Sequence, residues 1–117
     1  PGSEGGGWVN LEQMLETGLK IPGIKSFFPI IPPCFTWYLV STGAGLLGNG
    51  EETELVEQYQ VDIWCVIRDE AVRLTEQARK VIMSERFNMV PTISYGYDTN
   101  GKLWRGTIMF YHVKEGN

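Results

Sequence analysis

The stretch EQYQVDIWCVIRDEAVRLTEQARKVI, from Glu57 to Ile82, decides the fold because its hydrophobic period changes halfway along. As far as Ile67 the apolar residues alternate, which is the period of a β-strand with one buried face. From Asp69 onward they recur every three or four residues, which is the period of an amphipathic helix. The stretch therefore predicts a strand that runs into a helix through a very short joint.

The strand half of this stretch predicts which face lines the core. Successive side chains of a strand point to opposite faces, so residues of odd number share one face and residues of even number share the other. The odd-numbered face is the more apolar, and we expect it to be the core face. It carries Leu55, Glu57, Tyr59, Val61, Ile63, Cys65 and Ile67.

The helix half has a candidate N-cap and one apolar stripe. Asp69 is the predicted N-cap, because an Asp side chain accepts hydrogen bonds from the unpaired amides of a first helical turn. Glu76 and Lys80 are four residues apart and are expected to pair on the exposed side. The apolar stripe comprises Ala71, Leu74, Ala78, Val81 and Ile82.

Two elements are predicted before this stretch. Asn10 is expected to cap a short helix that ends near Leu19. The segment KIPGIKSFFPIIPP, residues 20–33, has four prolines and no period, which predicts an extended apolar connection. Aromatic and β-branched residues in FTWYLVST, residues 35–42, predict a strand.

The segments after the stretch predict a hairpin and complete the fold. Strands are predicted for residues 89–97 and 102–113, around DTNG with its Asn-Gly step. The order is then α-β-β-α-β-β, an α+β fold with a mainly antiparallel sheet of about four strands packed with two helices. Residues 9–117 are expected to form a single domain. Residues 1–8, which lack an initiator Met, are expected to be a disordered lead or a cloning remnant.

Composition limits the possible functions. The formal net charge is −4, and the ten basic residues are scattered, which argues against a grip on nucleic acid phosphates. The single histidine, His112, cannot build a Cys/His metal cluster, and we expect no catalytic site, metal or cofactor. Cys34 and Cys65 are expected to be reduced, which fits a cytosolic origin. No apolar run has the length of a membrane span.

The glycine-rich segment GAGLLGNGEET, residues 43–53, is predicted to be a long hairpin loop. A phosphate-binding loop needs a Lys and a Ser or Thr after its last glycine, at the start of a helix. Here Glu51 and Glu52 follow instead, and a strand comes next. The apolar pair Leu46 and Leu47 lies at the loop tip, where it either folds back on its own sheet or docks on another chain.

Two tryptophans, Trp64 and Trp104, are assigned to the sheet face opposite to the core, together with Ile108 and Phe110. Large aromatic residues on both faces indicate that both faces are covered, by helices, by the proline-rich segment or by a neighbouring subunit. Four residues of the proline-rich segment either cover this face or belong to an interface: Phe27, Phe28, Ile30 and Ile31.

The chain resembles the small tail-completion proteins of tailed bacteriophages and prophages in three consecutive segments. These are a strand with YQVDIW at its centre, a brief turn with the acidic RDEA, and the amphipathic LTEQARKVI. This is the tail-terminator and head–tail joining group. The resemblance covers residues 10–113 in element order and residues 58–82 in residue pattern. It implies a non-enzymatic structural protein that assembles as a ring, often a hexamer, at the end of the tail tube or at the neck. The proline-rich FFPIIPP departs from the group.

The resemblance also implies partners and locations. The partners are further copies of the chain, tail-tube or neck proteins, and DNA that passes through the ring without specific binding, with no membrane involved. The locations are the virion and, during assembly, the bacterial cytoplasm. An acidic lumen would repel DNA phosphates, and Glu51, Glu52 and Glu54 are its predicted lining. The predicted assembly interface comprises Leu46, Leu47, Phe27, Phe28, Trp64 and Trp104.

The alternative is a small ligand-binding or regulatory module. The order α-β-β-α-β-β is obtained from a ferredoxin-like unit by moving its first strand to the end. A closed apolar pocket between the helices and the sheet, with a few convergent polar groups, would favour this alternative.

Overall fold

A computed structural model of the chain describes residues 10–24, 29–44, 54–85 and 88–115, which form two helices and a four-stranded antiparallel sheet. The predicted order α-β-β-α-β-β and the α+β class are confirmed. The predicted lead, residues 1–8, lies outside the described residues. The elements are α1 (Leu11–Leu19), β1 (Cys34–Ala44), β2 (Glu54–Cys65), α2 (Arg68–Met83), β3 (Thr92–Asp98) and β4 (Leu103–Glu115).

The strands lie in the order β1-β2-β4-β3, and every neighbouring pair is antiparallel. The long strands β2 and β4 therefore occupy the centre, and β1 and β3 are the edges. Residues 22–24 of the proline-rich connection pair with the start of β1. There the Ile24 N–H donates to the Phe35 carbonyl at 2.8 Å, and the Phe35 N–H donates to the Pro22 carbonyl at 3.0 Å.

Both helices pack on one face of the sheet, which we call the helix face; the opposite face is the outer face. The odd-numbered residues of β2 from Tyr59 to Cys65 are fully buried under the helices, as the alternation predicts. Ile67 was assigned to the same face, but this prediction is wrong, because β2 ends at Cys65 and Ile67 is largely exposed. The helices contribute Leu11, Leu15, Leu19, Ala71, Leu74, Ala78 and Ile82 to the core.

The helix α2 begins earlier than predicted, so the assignment of Asp69 as its N-cap is wrong. The N-cap residue is Ile67, whose backbone is extended (φ −111°, ψ 134°) and whose carbonyl accepts a hydrogen bond from the Ala71 N–H at 3.1 Å. Asp69 lies within the first turn, where a negative charge favours the helix dipole. The N-cap position thus has a side chain that cannot accept a hydrogen bond.

Two other local predictions about the helices fail. Glu76 pairs with Arg79 rather than Lys80, at 3.2 Å between Oε1 and Nε, and both side chains are too exposed for the pair to stabilise the helix much. Asn10 is the N-cap residue of α1, but its side chain makes no capping hydrogen bond. Its backbone is in the helical region (φ −88°, ψ −4°), whereas a capping side chain reaches the first turn from an extended backbone.

The predicted hairpin between β3 and β4 is confirmed, and its loop comprises residues 99–102, because Asp98 lies opposite Leu103. Lys102, rather than Gly101, takes the left-handed conformation, with φ 59°. Its N–H donates to the Asp98 carbonyl at 2.6 Å, and the Asp98 carboxylate accepts from the Asn100 N–H at 3.2 Å. Asp98 therefore organises both sides of the turn.

The register of β4 places Trp104 on the helix face, so its assignment to the same face as Trp64 is wrong. Trp104 lies opposite Cys65 in the β2–β4 ladder, whereas Trp64 lies opposite Arg105. Directly opposed side chains share a face, so Trp104 points to the helices and Trp64 to the outer face. The assignment of Ile108 and Phe110 to the outer face is wrong for the same reason, because they lie opposite Val61 and Tyr59 and are buried in the core. Residue-number parity does not carry over between strands, because each odd-numbered residue of β2 opposes an even-numbered residue of β4.

α2 approaches the sheet very closely at Gly106 of β4. The Thr75 hydroxyl occupies the space that a side chain at Gly106 would need. Thr75 Oγ1 is buried and has no hydrogen-bond partner among the described residues. The close packing of α2 on β4 therefore depends on a glycine and leaves one hydroxyl unpaired.

We expect Gly106→Ala to lower the free energy of unfolding by about 1–3 kcal/mol, because the added methyl group overlaps Thr75. Urea unfolding with a spectroscopic readout measures the change. Gly96→Ala is the matched control, since a methyl group there meets only Arg105 Nη2 at 3.9 Å. We expect this control to be neutral or stabilising by about 0.5 kcal/mol. The double variant Gly106→Ala, Thr75→Ala should recover most of the loss, and equal loss in single and double variants would contradict the overlap.

Candidate assembly surface

One end of the sheet carries three exposed apolar residues, Ile31, Val66 and Ile67, which we call the apolar end. β1 begins and β2 ends here, because Cys34 lies opposite Trp64. The exposed fractions of Ile31, Val66 and Ile67 are 71%, 60% and 61%. Single exposed apolar side chains are common, whereas groups of them are more typical of surfaces that contact other molecules.

Two residues of the apolar end form the joint between β2 and α2. Val66 and Ile67 are the whole connection between Cys65 and Arg68. Sequence reasoning named Ile31 as a possible interface residue, but it missed Val66 and Ile67 because it extended the strand alternation through the joint. One signal could have identified them: this apolar pair lies between the residues with strand alternation and those with helical spacing, so it belongs to the buried face of neither element.

The outer face holds Trp64 in a fixed, half-buried position, with a polar network beside it. Trp64 Nε1 donates to Thr36 Oγ1 at 3.1 Å, and the Arg105 guanidinium carbon lies 5.7 Å from the centre of the Trp64 ring. Asp62, buried on the same face, accepts a hydrogen bond from Thr107 Oγ1 at 2.7 Å. Neither described helix covers this face, and the interface role of Trp64 stays a prediction.

On the helix face, β3 carries a row of side chains that we call the tyrosine strip: Ile93, Tyr95 and Tyr97. The Tyr97 ring lies 5.0 Å from the Trp104 ring at an angle of 57°. Tyr95 and Tyr97 are still 43% and 47% exposed. Partial burial raises the pKa of Tyr95, the Glu76 carboxylate raises it further, and Arg68 acts in the opposite direction. Tyr95 therefore lies beside the exposed side of α2.

A groove of about 590 Å³ lies between α1 and α2, with Met14, Gly18 and Val81 among its lining residues. Gly18 sits directly against Val81, and Gln77 Nε2 donates to the Gly18 carbonyl at 2.6 Å. The groove is open to solvent and lies between the two helices. It is not the closed pocket between helices and sheet that would favour the ligand-binding alternative.

At the other end of the sheet, buried polar side chains join α2 to the strands. Asn88 Nδ2 donates to the Ile82 carbonyl at 2.8 Å, and Asn88 Oδ1 lies 2.6 Å from His112 Nδ1. The Tyr59 hydroxyl donates to the buried Glu57 carboxylate at 2.8 Å. These contacts give His112 a packing role near the end of α2.

Cys34 and Cys65 are both buried, and neither takes part in a disulfide. Burial raises the pKa of Cys34, and a hydrogen bond from the Ile31 backbone lowers it by less. The pKa of Cys65 is raised to about 11, mainly by burial and then by the negative charges of Glu70 and Cys34, with Arg73 acting in the opposite direction. Neither thiol is set up as a nucleophile.

Most of the predicted interface falls on residues that the structure does not describe. Leu46, Leu47, Phe27 and Phe28 lie outside the described residues. So do Glu51 and Glu52 of the predicted acidic lumen, and Glu54 is described only as the first backbone position of β2. Of the predicted residues, the structure thus places Trp64 and Trp104, on opposite faces of the sheet.

No family model matches this chain, and no curated protein matches it. In the part of the chain that the structure describes, neither helix is long and apolar enough to cross a membrane. Within the same residues, no group of three or more His, Cys, Asp or Glu side chains is placed to hold a metal ion.

We expect both native thiols to resist a thiol-specific disulfide reagent at pH 8, because they are buried and a pKa of about 11 leaves Cys65 roughly one-thousandth ionised. Release of the coloured product, with and without denaturant, measures this. Two thiols per chain should react in denaturant. Rapid reaction of either thiol in the folded protein would contradict its burial.

Because folding raises the pKa of Cys65, the contribution of its protonated thiol to stability should be lost as the pH rises from about 9 to 11.

Proposed function

We propose that this chain is a structural virion protein of a tailed bacteriophage or prophage, a tail-terminator or head–tail joining subunit that assembles into a ring and catalyses no reaction. The resemblance of residues 58–82 to that group supports the proposal. Its partners are further copies of itself and tail-tube or neck proteins. Its locations are the virion and, during assembly, the bacterial cytoplasm.

The observation that carries the proposal is the exposed isoleucine at the N-cap of α2. A Ser, Asp or Asn at an N-cap stabilises a helix by about 1 kcal/mol relative to an apolar residue. The side chain of Ile67 has no hydrogen-bond acceptor and, because it is 61% exposed, buries little apolar surface in the monomer. The monomer therefore gains nothing from Ile67, whereas an interface covering Ile67, Val66 and Ile31 would bury all three.

A ring requires two different patches on each subunit. The apolar end is one of them, and the predicted loop tip with Leu46 and Leu47 is the second. That loop connects β1 and β2 at the far end of the sheet, since residues 45–53 follow Ala44 and precede Glu54. β2 has 12 residues and spans roughly 40 Å. A loop of this length, held at both ends, extends only about 15 Å and cannot cover its own apolar end.

A ligand-binding module is the second candidate, and the groove between α1 and α2 is the observation that favours it. Its volume of about 590 Å³ suits a small ligand, and Met14 and Val81 supply apolar surface. The groove is open, however, and a bound ligand would keep much of its own surface in water. The mass measurement below discriminates the two candidates, because a ligand-binding module needs no self-association.

We expect Ile67→Asp to separate stability from assembly. The free energy of unfolding should rise by about 1 kcal/mol, because Asp caps α2 and favours the helix dipole. The light-scattering mass should rise to a discrete ring-sized oligomer for the wild-type chain and should stay far below ring size for the variant. Negative-stain images should show rings for the wild type alone.

Val90→Asp is the matched control for that experiment. Val90 is also an exposed apolar residue, but it lies just before β3 and near the opposite end of the sheet. This control should assemble like the wild type. Equal loss of assembly in both variants would mean that the apolar end is not the contact. A wild-type chain that stays monomeric, even with purified tail-tube protein, would contradict the proposed function.

We expect replacement of Glu51, Glu52 and Glu54 by Gln to lower particle infectivity, because DNA phosphates would adhere to a lumen without its negative charge. Plaque counts at equal particle number measure the change. Gln at Glu70, Glu76 and Glu85 is the control with the same change in net charge. Infectivity that is unchanged in the first variant, or equally low in both, would contradict the acidic lumen.

A further inference from the structure

β3 is an edge strand whose outer side is not paired with any described residue. It pairs with β4 without a register shift along all of Thr92–Asp98. Natural edge strands are usually protected from pairing with other chains by lysines, prolines, bulges or very short length. The sequence TISYGYD has seven residues, none of these protections, and a single charge, Asp98, at its end. This edge is therefore open to a further strand.

We propose that the further strand is β3 of a second copy of this chain, paired antiparallel about a two-fold axis at Tyr95. The sequence of β3 is self-complementary in that register, because each residue meets one of compatible size and polarity. Two sheets of four strands would then join into one sheet of eight, with the helices of both copies on the same side. The pairs are Tyr95 with Tyr95, Ser94 with Gly96, Ile93 with Tyr97, and Thr92 with Asp98.

On the helix face, this pairing covers the tyrosine strip. Tyr97 of each copy meets Ile93 of the other, and the two Tyr95 rings meet at the axis. Cross-strand pairs of aromatic and β-branched residues are among those that stabilise sheets most. Tyr95 and Tyr97, which are 43% and 47% exposed in the monomer, supply the apolar area that becomes buried.

On the outer face, the same register brings only compatible polar groups together. Gly96 leaves room for Ser94 of the other copy, and the Thr92 hydroxyl can donate to the Asp98 carboxylate. Near the axis, the charged groups that act on Tyr95 are Glu76 and Arg68 of α2, which are opposite in sign. The two-fold axis brings a second Glu76 and a second Arg68 to the same place, and the four charges sum to zero, so no net repulsion opposes the dimer.

This contact goes beyond the proposed ring, because it joins two identical patches, whereas ring closure needs two different ones. It uses β3 and not the apolar end. Either contact can therefore exist without the other. A ladder of seven residues buries less than a standard interface, so we expect a dimer that forms with rising concentration.

Disulfide trapping tests the register. In the proposed dimer, position 95 lies directly opposite itself. The two α-carbons of an antiparallel pair are about 4.5 or 5.5 Å apart, depending on the type of pair, and both distances are within the roughly 4.4–6.8 Å that a disulfide spans. Tyr95→Cys should therefore form a disulfide-linked dimer on mild oxidation. Thr92→Cys is the matched control, because its two copies would be roughly 20 Å apart. Buried Cys34 and Cys65 contribute little background.

We expect Tyr95→Cys to cross-link at least about tenfold faster than Thr92→Cys, because pairing raises the effective concentration of its thiols. Equal rates, or no dimer from either variant, would overturn the proposal. Tyr95→Lys provides a second measurement that keeps all cysteines native. Combined with Ile67→Asp, which removes ring assembly, it sets two like charges opposite each other and should abolish the rise in mass from one chain to two that Ile67→Asp alone shows. An unchanged rise in mass in this variant would also overturn the proposal. If the edge of β3 pairs with a strand of a different protein instead, neither the cross-link nor the rise in mass should appear, and the proposal would be overturned.

Discussion

The joint between β2 and α2 constrains the rest of the structure, because it has only two residues, Val66 and Ile67. A connection this short makes α2 fold back directly over the strand that it follows. α2 accordingly packs on the two central strands, β2 and β4. At the crossing with β4 the approach is so close that only Gly106 fits under Thr75. The position of α2 thus follows from where the strand period ends.

The position of α2 in turn decides which parts of the sheet stay uncovered. α1 packs against α2 on the side of β1, where Glu12 Oε1 accepts a hydrogen bond from Trp37 Nε1 at 3.0 Å. With α2 over the centre and α1 towards β1, neither helix reaches across β3. Tyr95 and Tyr97 remain half-exposed on that strand for this reason, and Trp104 is covered partly by Tyr97.

The sequence predicted what depends on local periodicity and missed what depends on register. The buried run of Tyr59, Val61 and Ile63 and the order of the elements followed from alternation and helical spacing alone. The face of Trp104 did not, because it depends on which residue of β2 lies opposite, and pairing between distant strands has no local signal. The assignment of Asp69 as N-cap failed for a related reason. Capping preference identified a suitable side chain, whereas the length of the joint decided where the helix starts.

At two exposed places among the described residues, the chain departs from the rules of monomer stability. The side chain of Ile67 at the N-cap of α2 cannot accept a hydrogen bond, and the β3 edge lacks the lysines, prolines and bulges that usually protect an edge strand from pairing. Substitutions that repair either position are simple, since Asp would cap α2 and Lys would protect β3. Positions where local rules are broken without a gain inside the monomer are expected to be functional sites. For a protein proposed to work by assembly, these two surfaces are where intermolecular contacts should first be sought.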